Sequence, residues 1–322
     1  MRYRPLGRTG LLVSEIGFGA WGIGGWSPDA LSYGRTDDER SLAALDCAIG
    51  RGVTLIDTSS LYGLGHSERL IGQAIRGRRE RVVIATKAGH AGGGEKPDFS
   101  AEALKRSLEG SLHRLDVDRI DLLQLHGPSI ADLRSDPAIL DTLAGFRQEG
   151  VIRAFGVSAN SPVDALTMVE EWRVPVIQVN LSMLDLRAVE CGLLDAVARA
   201  GTGLIARTPL CFGFLTGEIA EDTVFPPEDH RSRWNGSQVA RWSQAARQVL
   251  DAAGAREREA CVQAALRFCL TFPEVSAVIP GLLSPRDVTE NIAASDPGPY
   301  PSSDFERILD MARRCSRDAV GA

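Results

Sequence analysis

Short runs of apolar and β-branched residues alternate along the chain with longer stretches whose apolar positions recur every three or four residues. The runs at 16–20, 54–57, 82–87, 120–126, 154–158, 176–180, 203–207 and 276–280 predict eight strands. Amphipathic stretches at 37–51, 67–76, 101–115, 138–149, 162–171, 191–200 and 257–271 predict the helices between them, and another at 285–293 follows the eighth strand. Leu104, Leu108, Leu112 and Leu115 mark the apolar face of one such helix.

Alternation of this kind calls for parallel strands joined by crossover helices. Eight repeats of the unit favour closure into a (β/α)8 barrel, which needs roughly 250 residues plus insertions. An open doubly wound sheet would carry G-x-G-x-x-G between its first strand and a helix. The stretch Gly17-Phe18-Gly19-Ala20-Trp21-Gly22 has neither that spacing nor a helix directly after it. Three segments fall outside the repeat. Residues 2–13 suit a hairpin closing the barrel floor, 211–255 form a long insertion and candidate lid, and 302–316 predict a terminal helix packing over the barrel. No Pro/Gly/Ser-rich linker divides the chain, so residues 1–322 are expected to form a single domain.

Composition narrows the function classes. A net charge of −6 and a pI near 5.5 argue against nucleic acid as a partner. The cluster His230-Arg231-Ser232-Arg233 is read as a solvated loop, with an anion contact near the site as its rival. No run approaches the ~18 apolar residues of a membrane span, and MRYRPLGRTG lacks the apolar core of a signal peptide. Six scattered cysteines without a C-x-x-C pair fit reduced thiols in a cytoplasmic protein.

Candidate chemistry gathers at the strand ends. Asp57, Lys87 and His126 end the second, third and fourth strands, and Tyr62 lies in the loop after Asp57. Each alone has a bland reading: an Asp capping a turn, a packed Tyr, an exposed Lys, a turn His. On consecutive strand ends they face one barrel mouth. Reducing a carbonyl takes a hydride from a nicotinamide and a proton delivered to oxygen. A phenol near neutral pH is a weak acid, and a neighbouring ammonium stabilises its phenolate. Lys87 is placed to supply that ammonium, Asp57 to hold it, and His126 to orient the substrate oxygen toward Tyr62. The H-x-H and H-E-x-x-H patterns of metal-dependent hydrolases are missing, and no metal is expected.

The chain resembles the aldo-keto reductases over essentially its whole length. The resemblance rests on LGRTGLLVSEIGFGAWG, LIDTSSLYGLGHSERLIGQAI, VIATKAG, DLLQLHGPS, GVIRAFGVSAN, VIQVNLSMLDLRA, ARTPLCFGFLTG and SAVIPGLLSPRDVTENIAAS, in that order. It implies a barrel that binds NADP(H) in extended form, with Asp57, Tyr62, Lys87 and His126 as the catalytic tetrad and Tyr62 as general acid/base. It further implies cofactor contacts from Gly19, Ala20, Trp21 and Asp57. Ser158 and Gln178 match residues holding the nicotinamide carboxamide. The family often has Asn directly after that Ser, whereas here Ala159 precedes Asn160. Arg207 stands where an aromatic ring or an Arg lies against the nicotinamide. Thr208, Pro209, Leu210, Gly213 and Leu215 match a loop that wraps the pyrophosphate through backbone N–H groups.

At the adenosine end the resemblance implies Gly281, Leu283 and Asp287 near the 2′-position, and Glu290 and Asn291 near the adenine. Asp287 falls where Arg or Gln is common. A carboxylate repels a 2′-phosphate but accepts hydrogen bonds from a free ribose hydroxyl. NADP(H) is the family expectation, NAD(H) the alternative, and Arg286 a residue able to offset Asp287. Trp21, Tyr62 and His126 are expected to contact substrate, as is Trp26 more weakly. Cys211 and His66 are expected to pack rather than react. Three functions follow: reversible reduction of a small carbonyl compound, an NAD+-dependent sugar or alcohol dehydrogenase, or a nucleotide-binding regulatory subunit on the same barrel. The oligomeric state is left open.

Overall fold

A computed structural model of the chain describes residues 1–25, 32–90 and 96–320. Trp26 lies outside the described residues. Two short strands open the chain: β1 (Tyr3–Pro5) and β2 (Leu12–Ser14) pair antiparallel, with Arg4 opposite Val13. Eight parallel strands follow: β3 (Phe18–Gly19), β4 (Leu55–Asp57), β5 (Val83–Ala88), β6 (Ile120–His126), β7 (Ile152–Ser158), β8 (Val176–Asn180), β9 (Gly203–Arg207) and β10 (Val275–Ile279). Each pairs with the next in chain order. The ring closes through parallel bridges from Ile16 to Val278 and from Gly19 to Gly281. This is the predicted (β/α)8 barrel with its N-terminal hairpin.

Local chemistry explains where the crossover helices start and stop. Ser100 accepts the Ala103 N–H to cap Ala101–Leu115, which buries Leu104, Leu108 and Leu115 and ends at Asp116 in the left-handed region. Ser161 caps Pro162–Trp172, whose first-turn proline forfeits only an N–H that has no helical acceptor. Ser284 caps Pro285–Ile292 in the same way. The predicted helices at 37–51, 67–76, 138–149, 191–200 and 257–271 appear as Asp38–Gly50, His66–Ala74, Ala138–Gln148, Leu193–Ala200 and Arg258–Thr271.

The barrel interior is apolar below and polar above. Leu55, Val83, Ala85, Leu122, Ala154, Val176, Ile205 and Ala277 fill the lower layers, and Leu6, Leu11 and Val13 of the hairpin plug the floor beneath them. Gly7 makes this plug possible. Its φ is +54°, and a Cβ there would overlap the backbone of Gly203 at the foot of β9. Two residues further along five of the strands, the inward positions turn polar: Asp57 after Leu55, Lys87 after Ala85, Gln124 after Leu122, Gln178 after Val176, Arg207 after Ile205; Ile279 after Ala277 stays apolar. The functional layer therefore rests on a packed apolar base.

Two connecting segments also contain helices. Ile130–Ser135 follows β6, with Ser129 and Asp132 forming a reciprocal capping box. The 211–255 insertion holds 3-10 turns at Cys211–Thr216 and His230–Arg233, then a 17-residue helix, Gly236–Ala252, capped by Asn235. The C-terminal helix Ser302–Val320 packs chiefly along that insertion helix, with Arg307 donating to the Ala252 carbonyl.

Candidate active site

Asp57 and Lys87 stand side by side on the inner wall at the ends of β4 and β5, 2% and 1% exposed. Burying two charges is expensive unless each is paired and hydrogen-bonded. Here both are. Lys87 Nζ donates to Asp57 Oδ1 at 2.5 Å, to the Thr58 carbonyl at 2.8 Å and to Tyr62 Oη at 3.0 Å, which uses all three of its protons. Asp57 Oδ2 accepts from Gln124 Nε2 at 3.0 Å and Gln178 Nε2 at 2.7 Å. Burial pulls the Lys87 ammonium down. The Asp57 carboxylate and the Tyr62 phenol outweigh it, so its pKa sits above the ordinary value.

Tyr62 is carried by a turn, its N–H bonded to the Ser59 carbonyl at 3.1 Å. Gly63 then takes φ +60°, and a Cβ there would overlap the Gly24 carbonyl, so the turn lies flat against the loop after β3. His126, at the end of β6, meets the Tyr62 ring edge-on with centroids 6.3 Å apart. Its Nδ1 lies 3.2 Å from Ser59 Oγ. Burial, then the charges of Lys87, His90 and Arg207, hold the His126 pKa well below the usual value, so the ring is neutral near pH 7. His90 Nε2 donates to the His126 carbonyl at 2.9 Å and stacks its ring edge-on beside it.

A continuous cavity of about 790 Å3 runs from these residues to the helix Pro285–Ile292. Asp57, Tyr62 and His126 line one end. Of the residues expected to hold a cofactor, Gly19, Ala20, Trp21, Gln178, Arg207, Thr208, Pro209, Leu210, Gly213, Gly281, Leu283, Asp287 and Asn291 line it too. Ser158, Leu215 and Glu290 do not. Ser158 spends its hydroxyl on Gln178 Oε1 at 3.2 Å. Leu215 packs in the core, with its N–H on the Leu210 carbonyl, as the Gly213 N–H also is. Glu290 sits behind the wall, between Arg258 and Arg286. Asn160 turns out to the Gly127 carbonyl, while Asn180 lines the cavity from β8.

Other lining residues escaped the sequence reading. Asn180 was within reach of it, two positions from Gln178 on the same strand face; Gln124, two positions before His126, does not line the cavity but is fully buried and bonds Asp57. Tyr33 and His90 come from loops, and Phe212 and Arg231 from the 3-10 turns of the insertion. Arg231 is neither solvated nor free: it packs on the Tyr33 and Phe225 rings and pairs with Asp229. Trp21, Tyr33 and His230 stack together, and the His230 N–H bonds the Ser32 carbonyl, joining the loop after β3 to the insertion. Arg258 is the unexpected residue at the far end. It reaches Asp287 and Glu290, both at 2.8 Å, and Glu218. Arg286 instead bonds Glu290 at 2.7 Å. Cys211 is buried, its thiol pushed up to about 12, and His66 pairs with Asp38.

An extended nucleotide fits these walls. Among the described residues, two buried polar atoms of the lining have no hydrogen-bond partner: Arg207 Nε at the tyrosine end and Asn291 Oδ1 at the other. One is a donor and the other an acceptor, at opposite ends of one channel. Among the described residues no cluster of His, Cys, Asp or Glu is arranged to hold a metal ion.

A closed parallel barrel with a Lys–Asp pair, a Tyr and a neutral His at the head of a nucleotide-sized channel defines a barrel oxidoreductase. The comparisons agree. The Aldo/keto reductase family model matches residues 15–313, and the chain belongs to this family. It is 31% identical to the uncharacterized oxidoreductase YqkF of Bacillus subtilis, over 92% of both chains. It is 32% identical to L-galactose dehydrogenase of Arabidopsis thaliana, over 90% of this chain and 87% of that one. The holo structure of aldo-keto reductase AKR11C1 from Bacillus halodurans superposes with a TM-score of 0.79 at 26% identity, covering 97% of this chain and 96% of that one.

Proposed function

We propose that this protein is a nicotinamide-dependent oxidoreductase that interconverts a small aldehyde or ketone and its alcohol, with Tyr62 as general acid/base. The observation carrying this reading is the Lys87 ammonium, buried, spent on Asp57 and Thr58, and donating to Tyr62 Oη at 3.0 Å. When bound, the nicotinamide supplies the hydride. In the reducing direction Tyr62 gives its proton to the carbonyl oxygen, and Lys87 stabilises the phenolate left behind. Asp57 keeps the ammonium in place. Neutral His126 offers an N–H to the same oxygen without acting as a competing acid. Arg207 and Gln178 would hold the nicotinamide end, and Asn291 the adenine.

At the adenosine end this reading departs from the family expectation of NADP(H) and favours NAD(H). Arg258 already carries Asp287, Glu290 and Glu218, and Arg286 is bonded to Glu290. Three carboxylates gather against two guanidiniums there, a balance that disfavours a 2′-phosphate. An NAD(H) site also gives weight to the oxidative direction, the activity that the name of the Arabidopsis relative describes. Six free thiols support action in the cytoplasm.

The test is a fluorescence titration with NADH and NADPH in parallel, followed by steady-state assay on a panel of aldehydes, ketones and alcohols. Tighter binding of NADH with turnover of a panel member is the expected result. A clear preference for NADPH overturns the cofactor assignment. Tight binding with no turnover of either nucleotide favours a regulatory subunit.

A further inference from the structure

We propose that Ser59 is a positioning residue that fixes His126 in the Nε2–H tautomer, so that its imidazole presents a donor to the substrate oxygen beside Tyr62. The inference rests on the carbonyl-reduction reading above. Ser59 stands between the two side chains that meet that oxygen. Its carbonyl accepts the Tyr62 N–H, and its Oγ lies 3.2 Å from His126 Nδ1.

The direction of that second contact follows from proton counting. Ser59 is fully buried, and its Oγ already accepts the Leu61 N–H at 3.1 Å. The hydroxyl carries one proton, and His126 Nδ1 is the acceptor within reach. Were Nδ1 protonated instead, Ser59 would accept twice and leave a buried O–H unspent. The stable arrangement runs Leu61 N–H to Ser59 O–H to Nδ1. A neutral imidazole bonded through Nδ1 carries its single proton on Nε2. Burial beside Lys87 keeps the ring neutral, so the tautomer decides whether Nε2 attracts or repels the substrate oxygen.

Side-chain 15N–1H correlation spectra of histidine-labelled protein read the tautomer directly, with His126 assigned by its absence in His126→Gln. The expected result is Nε2–H in the wild type, loss of that fixed state in Ser59→Ala, and about a tenfold fall in kcat. The dissociation constant for NADH should stay unchanged. An Nδ1–H tautomer in the wild type overturns the proposal. So does a Ser59→Ala protein whose tautomer and kcat both match wild type. The spectra need no substrate or cofactor, so they judge the tautomer even if no carbonyl compound is turned over.

Discussion

At the catalytic end of the channel, every side chain that pairs with Asp57 stands on a barrel strand: Lys87 on β5, Gln124 on β6, Gln178 on β8. At the adenosine end, Arg258 opens a helix and gathers Asp287 and Glu290 from another helix and Glu218 from a loop. The first network is desolvated and anchored to the sheet. The second is partly wet, with the Glu218 side chain 54% exposed. Electrostatics act strongly in the first and are screened in the second. On the proposed function the contrast suits a division of labour: proton chemistry needs fixed charges, whereas a ribose would be selected by the balance of a cluster that can readjust.

Removing the charge at the strand-borne end should have the largest effect. Lys87→Met leaves the Asp57 carboxylate buried without its cation, and should cost about 3–5 kcal/mol of stability as well as turnover. Urea unfolding checks this, and a loss below about 1 kcal/mol would put the two networks on the same footing. The matching change at the far end should be much milder. Asp287→Asn retains an oxygen for the Leu283 N–H and the Ser284 hydroxyl but removes one negative charge. NADPH should then bind about fivefold tighter, with NADH nearly unaffected and stability close to wild type. Parallel titrations of the variant and the wild type read the difference.

The same contrast governs what could be read from the residues alone. Asp57, Lys87 and His126 were legible because each ends a strand in a regular β/α repeat, and strand ends face the mouth. Gln124 and Asn180 obey the same period of two and needed only one more step along their strands. Arg258 gave no such signal. It lies 29 positions before Asp287, on a helix whose apolar stripe is its visible feature, and only the packing of two helices brings them together. The insertion helix Gly236–Ala252 was hidden for a related reason. Arg241, Gln244 and Arg247 dilute its pattern, and it buries its apolar face partly against the C-terminal helix. Arg231 needed the folded loops, because its partners Tyr33 and Phe225 come from separate segments.

On the proposed function Tyr62 carries the proton, with Lys87 stabilising its phenolate and His126 bonding the substrate oxygen. Tyr62→Phe keeps the ring beside His126 and removes the hydroxyl that Lys87 bonds. Its kcat should fall by about a thousandfold, while the NADH dissociation constant stays within about twofold of wild type. A variant that binds NADH normally and keeps kcat within about tenfold of wild type would contradict the assignment.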